Sequence, residues 1–128
     1  MPRVFKGTEV EHFDKEIHKD YFDRHTPHVI CEPKAKRGEM FKVKVRMGDA
    51  YKHPDDADHF ISFIQLWNRE TLIAQTTYSY GAFGSIPANA EVDFYIVPSS
   101  VSMNLTAMSN CTKHGLWQSD PMEVKVTE

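Results

Sequence analysis

Cys111 and His114 are separated by two residues in the run Cys111-Thr112-Lys113-His114-Gly115-Leu116-Trp117. A thiolate donor and an imidazole donor at that spacing can reach one metal ion from a single polar loop. The pattern is not half of a zinc finger, because no second cysteine pairs with Cys111. It is not a haem attachment site either, because Cys-x-x-Cys-His is absent. Alone, Cys-x-x-His is a weak signal. It gains weight from two runs upstream, Asp23-Arg24-His25-Thr26-Pro27 and His53-Pro54-Asp55-Asp56-Ala57-Asp58-His59. His25 lies two residues before Pro27, His53 directly precedes Pro54, which restricts its backbone, and His59 opens a strand-like run. Loops carried on a rigid scaffold are where binding residues concentrate. His12 and His18, set among charges, and His28, at the start of a strand, read as surface or half-buried residues.

The elements that must position these donors read mainly as strands. The spacing of Val10, Phe13, Ile17 and Tyr21 predicts a short amphipathic helix over 9–22. After Pro27 the period changes. Phe41, Val43, Val45 and Met47 alternate with Lys42, Lys44 and Arg46, a half-buried strand. Residues 28–32, 59–68, 71–80, 91–97, 101–109 and 122–126 are further strand candidates. Turn-forming stretches separate them at 33–38, 48–58, 81–89, 98–100 and 110–121. About seven strands at this spacing predict an all-β, immunoglobulin-like β-sandwich behind a short helical or irregular lead.

Composition sets the outer limits. A chain of 128 residues fits one domain, and 41% hydrophobic with 26% charged residues is ordinary for a globular protein. A net charge of −3 argues against nucleic acid as a partner. The longest apolar run is too short to span a bilayer. The charged N-terminal stretch lacks the apolar core of a signal peptide. A cytoplasmic location is therefore expected, and there Cys31 and Cys111 need not pair. Cys31 is expected as a buried strand thiol. Asp55, Asp56 and Asp58 lack calcium-loop spacing and read as a solvated turn.

The three donor runs resemble the iron centre of superoxide reductases, the neelaredoxin and desulfoferrodoxin family. That family shows Glu-Lys-His-x-Pro, then His-Pro-Asn-x-x-x-His, then Cys-Asn-x-His-Gly-Leu-Trp. Here the order is kept, and so is each internal spacing. The resemblance covers residues 23–128 and divides the chain into a lead segment, 1–22, and an iron-binding β-sandwich domain, 23–128. No cysteine quartet is present to build a second iron domain, so the chain resembles the one-iron form. The resemblance implies a mononuclear iron with His25, His53, His59 and His114 as equatorial nitrogens, Cys111 as axial thiolate and an open sixth position. It implies reduction of superoxide to hydrogen peroxide, electrons from rubredoxin or a similar small protein, and a homotetramer.

Two positions depart from the family pattern. Asp23 replaces the Glu that can occupy the sixth position of the oxidised iron, and is one methylene shorter. Arg24 replaces the Lys that attracts superoxide and helps deliver protons; it keeps the charge but not the compact ammonium. Both are carried over as altered catalytic residues. Lys52 and Lys113 adjoin two further ligands and can add to a local positive field. Trp117 and Pro54 are expected to shape the edge of the site. Two other readings remain open. A cupredoxin also sets Cys and His on a β-sandwich loop, but its Met follows the His closely, whereas here Met122 lies eight residues after His114. A non-enzymatic immunoglobulin-like binding module would hold no stoichiometric metal.

Overall fold

Two β-sheets face each other across one apolar core in the computed structural model, which describes residues 19–128. In chain order the elements are α1 (Lys19–His25), β1 (Pro27–Ile30), β2 (Lys34–Lys36), β3 (Phe41–Met47), β4 (Ile61–Asn68), β5 (Thr71–Thr77), β6 (Glu91–Ile96), β7 (Ser102–Cys111), β8 (Gly115–Gln118) and β9 (Met122–Thr127). The smaller sheet has the order β1-β3-β6. The larger runs β2-β9-β7-β4-β5, and β8 also pairs with β7. All pairings are antiparallel except β2 with β9.

The alternation in β3 is borne out. Val43, Val45 and Met47 are buried and meet Ile64, Leu66, Met103, Leu105, Ala107 and Val124 of the other sheet. Burial of such branched and linear apolar side chains, about 1.5–3 kcal/mol each, is what fixes register, since a one-residue slip would turn every one of them outward. β5 is the exposed edge of its sheet, and only its inner face is partly covered.

Two differences from the sequence expectation bear on the site. The strand count is nine among the described residues, because β2 and β8 fall in stretches read as turns. Each is too short to show a period. β8 begins with a glycine at φ 79°, and both acquire strand geometry only by pairing, β2 with β9 and β8 with β7. The second difference concerns the helix. Most of the predicted stretch lies outside the described residues, but α1 runs three residues beyond Phe22 and ends at His25. The next residue, Thr26, precedes Pro27, whose ring disfavours helical backbone before it. The chain therefore leaves α1 directly into β1.

β8 and β9 occupy successive halves of one edge of β7, Met108–Cys111 and Ser102–Leu105 respectively. β4 lies on the other edge, with a register shift between Ile61 and Phe63 opposite Cys111 and Asn110. Bulges often stand next to functional sites, where they re-aim a strand end. This one is tied down by Asn110, whose Nδ2 donates to Ser62 Oγ at 2.8 Å.

Gly48 is where the chain leaves β3 for the loop carrying His53. Its φ is +72°, and a Cβ there would lie 2.8 Å from the Tyr51 carbonyl and 3.1 Å from both Asn89 Nδ2 and the Asp23 carbonyl. Gly38 has φ +80° but open space around it. Gly48→Ala should therefore cost more stability than Gly38→Ala, which pays for the backbone alone, about 1–3 kcal/mol. Urea unfolding of the two variants checks this, and equal losses would mean that the crowding at Gly48 is relieved without cost.

Candidate metal centre

Five side chains from three distant stretches of the sequence meet at one end of the sandwich. His25 is the last residue of α1, and His53 follows the turn after β3. His59 immediately precedes the approach to β4. Cys111 ends β7, and His114 closes the three-residue turn into β8. Cys111 and His114 thus sit on a tight hairpin, with Cys111 paired to Gly115, rather than on an open loop.

Neighbouring imidazoles are arranged as a closed ring. The centroids of His25 and His53 are 4.9 Å apart, His53 and His59 4.8 Å, His59 and His114 4.9 Å, and His114 and His25 4.8 Å. Adjacent planes cross at 76–84°, whereas the opposite pair, His25 and His59, is 6.2 Å apart and tilted by only 21°. One donor atom from each of His25, His59, Cys111 and His114 lies within 4.8 Å of all the others. His53 completes the ring, with Nε2 3.3 Å from Cys111 Sγ. No carboxylate joins this group among the described residues.

Local hydrogen bonds aim the rings. His25 Nδ1 is 2.7 Å from the Tyr21 carbonyl, and His53 Nδ1 is 2.7 Å from the Pro54 carbonyl. A carbonyl can only accept, so each Nδ1 carries the proton and each Nε2 presents a lone pair. His114 turns Nδ1 inward, 3.1 Å from His25 Nε2 and 3.7 Å from Cys111 Sγ. The backbone N–H of His114 donates to Sγ at 3.4 Å. Trp117, buried, stacks on His25 at 4.9 Å and 16°, while its Nε1 donates to the His114 carbonyl at 3.2 Å. Trp117 therefore backs the site rather than edging it. The sequence offered no signal for the acceptor role of Tyr21, since that role belongs to its backbone.

The surrounding loops are latched to one another. Thr112 joins the hairpin to the His59 segment: its N–H donates to the Phe60 carbonyl at 3.0 Å, and its Oγ1 accepts the Phe60 N–H at 3.1 Å. His53 and Ala88 exchange both backbone hydrogen bonds at 2.9 Å. Asp55, expected in a solvated turn, is instead buried and accepts the N–H groups of Gly81, Phe83 and Ser85 at 2.9–3.3 Å. A carboxylate that finds three amides is stabilised in the interior, which composition alone does not reveal. Asp56 and Asp58 are exposed as expected.

Asp23 does not point its carboxylate among the imidazoles. It accepts N–H groups from Asp49, Ala50 and Tyr51 at 2.8–3.2 Å. Arg24 is half-buried and pairs with Asp20 at 3.9 Å, and its Nε has no hydrogen-bond partner. Lys52 and Lys113 are exposed, as is His28. Cys31 lies just past β1, half-buried rather than buried, and both cysteines are free. His12 and His18 lie outside the described residues.

Burial dominates the electrostatics. Loss of water pushes His25 down to about 3 and His53 to about 4, reinforced by neighbouring imidazoles and Arg24. His59 and His114 shift the same way, first from burial and then from charges that include Lys113 and Arg24. Burial raises the Cys111 thiol, against hydrogen bonds from the Lys113 and His114 amides and the fields of Arg24 and Lys113. The set is thus neutral imidazoles around one thiol, with the Nε2 lone pairs of His25 and His53 directed inward. His59 Nε2 is buried with no hydrogen-bond partner. An orphaned ring nitrogen among converging lone pairs, beside a sulfur, suits a divalent transition metal.

The family model described as desulfoferrodoxin matches residues 12–120. The chain belongs to the desulfoferrodoxin family. A superoxide reductase from Thermococcus kodakarensis is 29% identical over 109 residues, covering 77% of this chain and 85% of that protein. One from Pyrococcus furiosus is 26% identical over 110 residues, covering 77% and 86%. Among solved structures, a single-substitution variant of a superoxide reductase (neelaredoxin) from Ignicoccus hospitalis superposes with a TM-score of 0.76 at 27% identity, covering 97% of this chain and 94% of that one. The β-sandwich is thus the fold of the family's solved members, and the donor cluster lies inside the matched segment.

The depressed imidazoles carry a stability consequence. Between about pH 6.5 and 4 the unfolded chain takes up protons that folded His25 and His53 refuse. Their contribution to stability is full above that window and lost as pH falls through it. Thermal melts of the metal-free protein should fall progressively from pH 7 to pH 4. A melting temperature independent of pH there would contradict the burial of these rings.

Proposed function

We propose that this protein is an iron-dependent superoxide reductase, in which His25, His53, His59, His114 and Cys111 hold a single iron. The observation that carries the reading is the closed ring of four imidazoles beside one sulfur within a desulfoferrodoxin match. A nitrogen-rich set of five donors exceeds the tetrahedral four of structural zinc. Neither rival reading is favoured. Met122 lies in β9 opposite Leu105, six residues before Cys111 along β7, so it is not placed as the axial Met of the copper-protein arrangement. A module without metal would leave the His59 nitrogen orphaned.

Iron held by this set supplies one electron to the substrate, and two protons complete its conversion to hydrogen peroxide. The chain's own residues do the rest. Tyr21 and Pro54 carbonyls hold the Nδ1 protons of His25 and His53, keeping both Nε2 lone pairs directed inward. The amide of His114 stabilises negative charge on Sγ. The Arg24 guanidinium lies close enough to depress all four imidazoles and the thiol. That field favours approach of a small anion against a net charge of −3, and Lys113 adds to it at His59, Cys111 and His114.

The same reading takes residues 1–22 as a lead segment and 23–128 as the iron-binding domain. It assigns the electrons to rubredoxin or a similar small redox protein, and the working form to a cytoplasmic homotetramer. Two free cysteines fit a reducing compartment. No helix among the described residues is long and apolar enough to cross a membrane.

Rapid mixing of the reduced protein with superoxide should yield one hydrogen peroxide per electron consumed, and a yield of half a peroxide per superoxide with no net oxidation would indicate dismutation instead. Arg24→Ala should slow the bimolecular step by about tenfold at low salt and flatten its dependence on ionic strength. A rate insensitive to salt in the unaltered protein would remove Arg24 from this role.

A further inference from the structure

We infer that Asp23 is a positioning residue, a latch between the helix that carries His25 and the loop that carries His53, and not a ligand to the oxidised metal. Its spectroscopic test rests on the iron reading above; its exchange test does not. Asp23 stands two residues before His25 in α1, and Tyr51 two residues before His53. Both carboxylate oxygens are engaged by the loop. Oδ1 accepts the Asp49 N–H at 3.2 Å, and Oδ2 accepts those of Asp49, Ala50 and Tyr51 at 3.1, 3.0 and 2.8 Å.

The rest of the loop is built around this latch. Asn89 Nδ2 donates to the carbonyls of Met47 and Tyr51 at 3.0 and 2.9 Å. The Gly48 N–H donates to the Thr26 carbonyl at 2.9 Å, beside the backbone of Asp23. To reach the imidazoles, the carboxylate would abandon three amides that have no other acceptor in the described contacts. Hydrogen bonds from amides to a charged acceptor are shorter and stronger than those between neutral groups. The shorter side chain is thus suited to the loop it lies against, and its carboxylate is held by these amides rather than among the imidazoles.

The test compares the full-length protein with Asp23→Asn and Asp23→Ala. Asn keeps one acceptor oxygen, so a latch ranks the three as Asp above Asn above Ala, whereas a ligand role would make Asn resemble Ala. Amide hydrogen exchange at Asp49, Ala50 and Tyr51 should be at least about tenfold faster in Asp23→Ala than in the unaltered protein, and intermediate in Asp23→Asn. Iron removal by a chelator should follow the same order, about tenfold between the extremes. The thiolate-to-iron absorption band of the oxidised protein should keep its position and its pH response in both variants. Unchanged exchange in Asp23→Ala would overturn the latch. So would a band shift of equal size in Asn and Ala, or loss in both of a pH-dependent shift present in the unaltered protein. Absence of any thiolate-to-iron band in the unaltered protein would instead defeat the iron assignment, and the exchange rates would still decide the latch.

Discussion

Lone pairs that converge in a partly buried site favour a cation where they meet. Here His25 and His114 face each other through nitrogens 3.1 Å apart, His53 Nε2 lies 3.3 Å from sulfur, and His59 Nε2 finds nothing. A proton is the cheapest cation, yet burial holds His25 near 3 and His53 near 4, so protons are refused over the whole physiological range. A metal ion would answer all of these nitrogens and the sulfur at once. Held by these donors, it would neutralise the repulsion between lone pairs, favour the thiolate form of Cys111 against the effect of burial, and add binding energy to the fold. The rest of the architecture can be understood as the means of keeping these unfavourable neighbours together until the ion arrives.

That work is done by short polar links rather than by the core. The apolar cluster between the sheets fixes β4 and β7, and with them the bulge beside Cys111. It does not reach the loops bearing His53 and His59. Those are held by backbone pairs and side-chain latches: His53 with Ala88, Thr112 with Phe60, Asp55 with the amides of residues 81–85. The hairpin does the same covalently, since a three-residue turn obliges Cys111 and His114 to arrive together. Trp117, one turn of chain further on, is stacked behind His25 and bonded to His114, coupling the first donor in the sequence to the last.

Much of this was legible beforehand because it is periodic or motif-like. The alternation in β3 and the apolar runs of β4, β7 and β9 announce a sandwich, and the five donor residues stand in three short runs whose internal spacing is intact. What escaped has a common physical cause. β2 and β8 are made by their partners, not by their own sequence. Asp55 looks like any exposed acid until the amides of residues 81–85 are folded over it. Tyr21 acts through a carbonyl, which no side-chain pattern encodes. Asp23 resembles a shortened family ligand in the sequence, and only the course of the loop after Gly48 reveals three amides in contact with it.

X-ray absorption at the iron edge of the reduced, fully loaded protein tests the central claim most directly. The five-donor site predicts one sulfur and four nitrogen scatterers about a single iron, with the sulfur contribution abolished in Cys111→Ser. A first shell without sulfur, or one made of oxygen atoms alone, would contradict it.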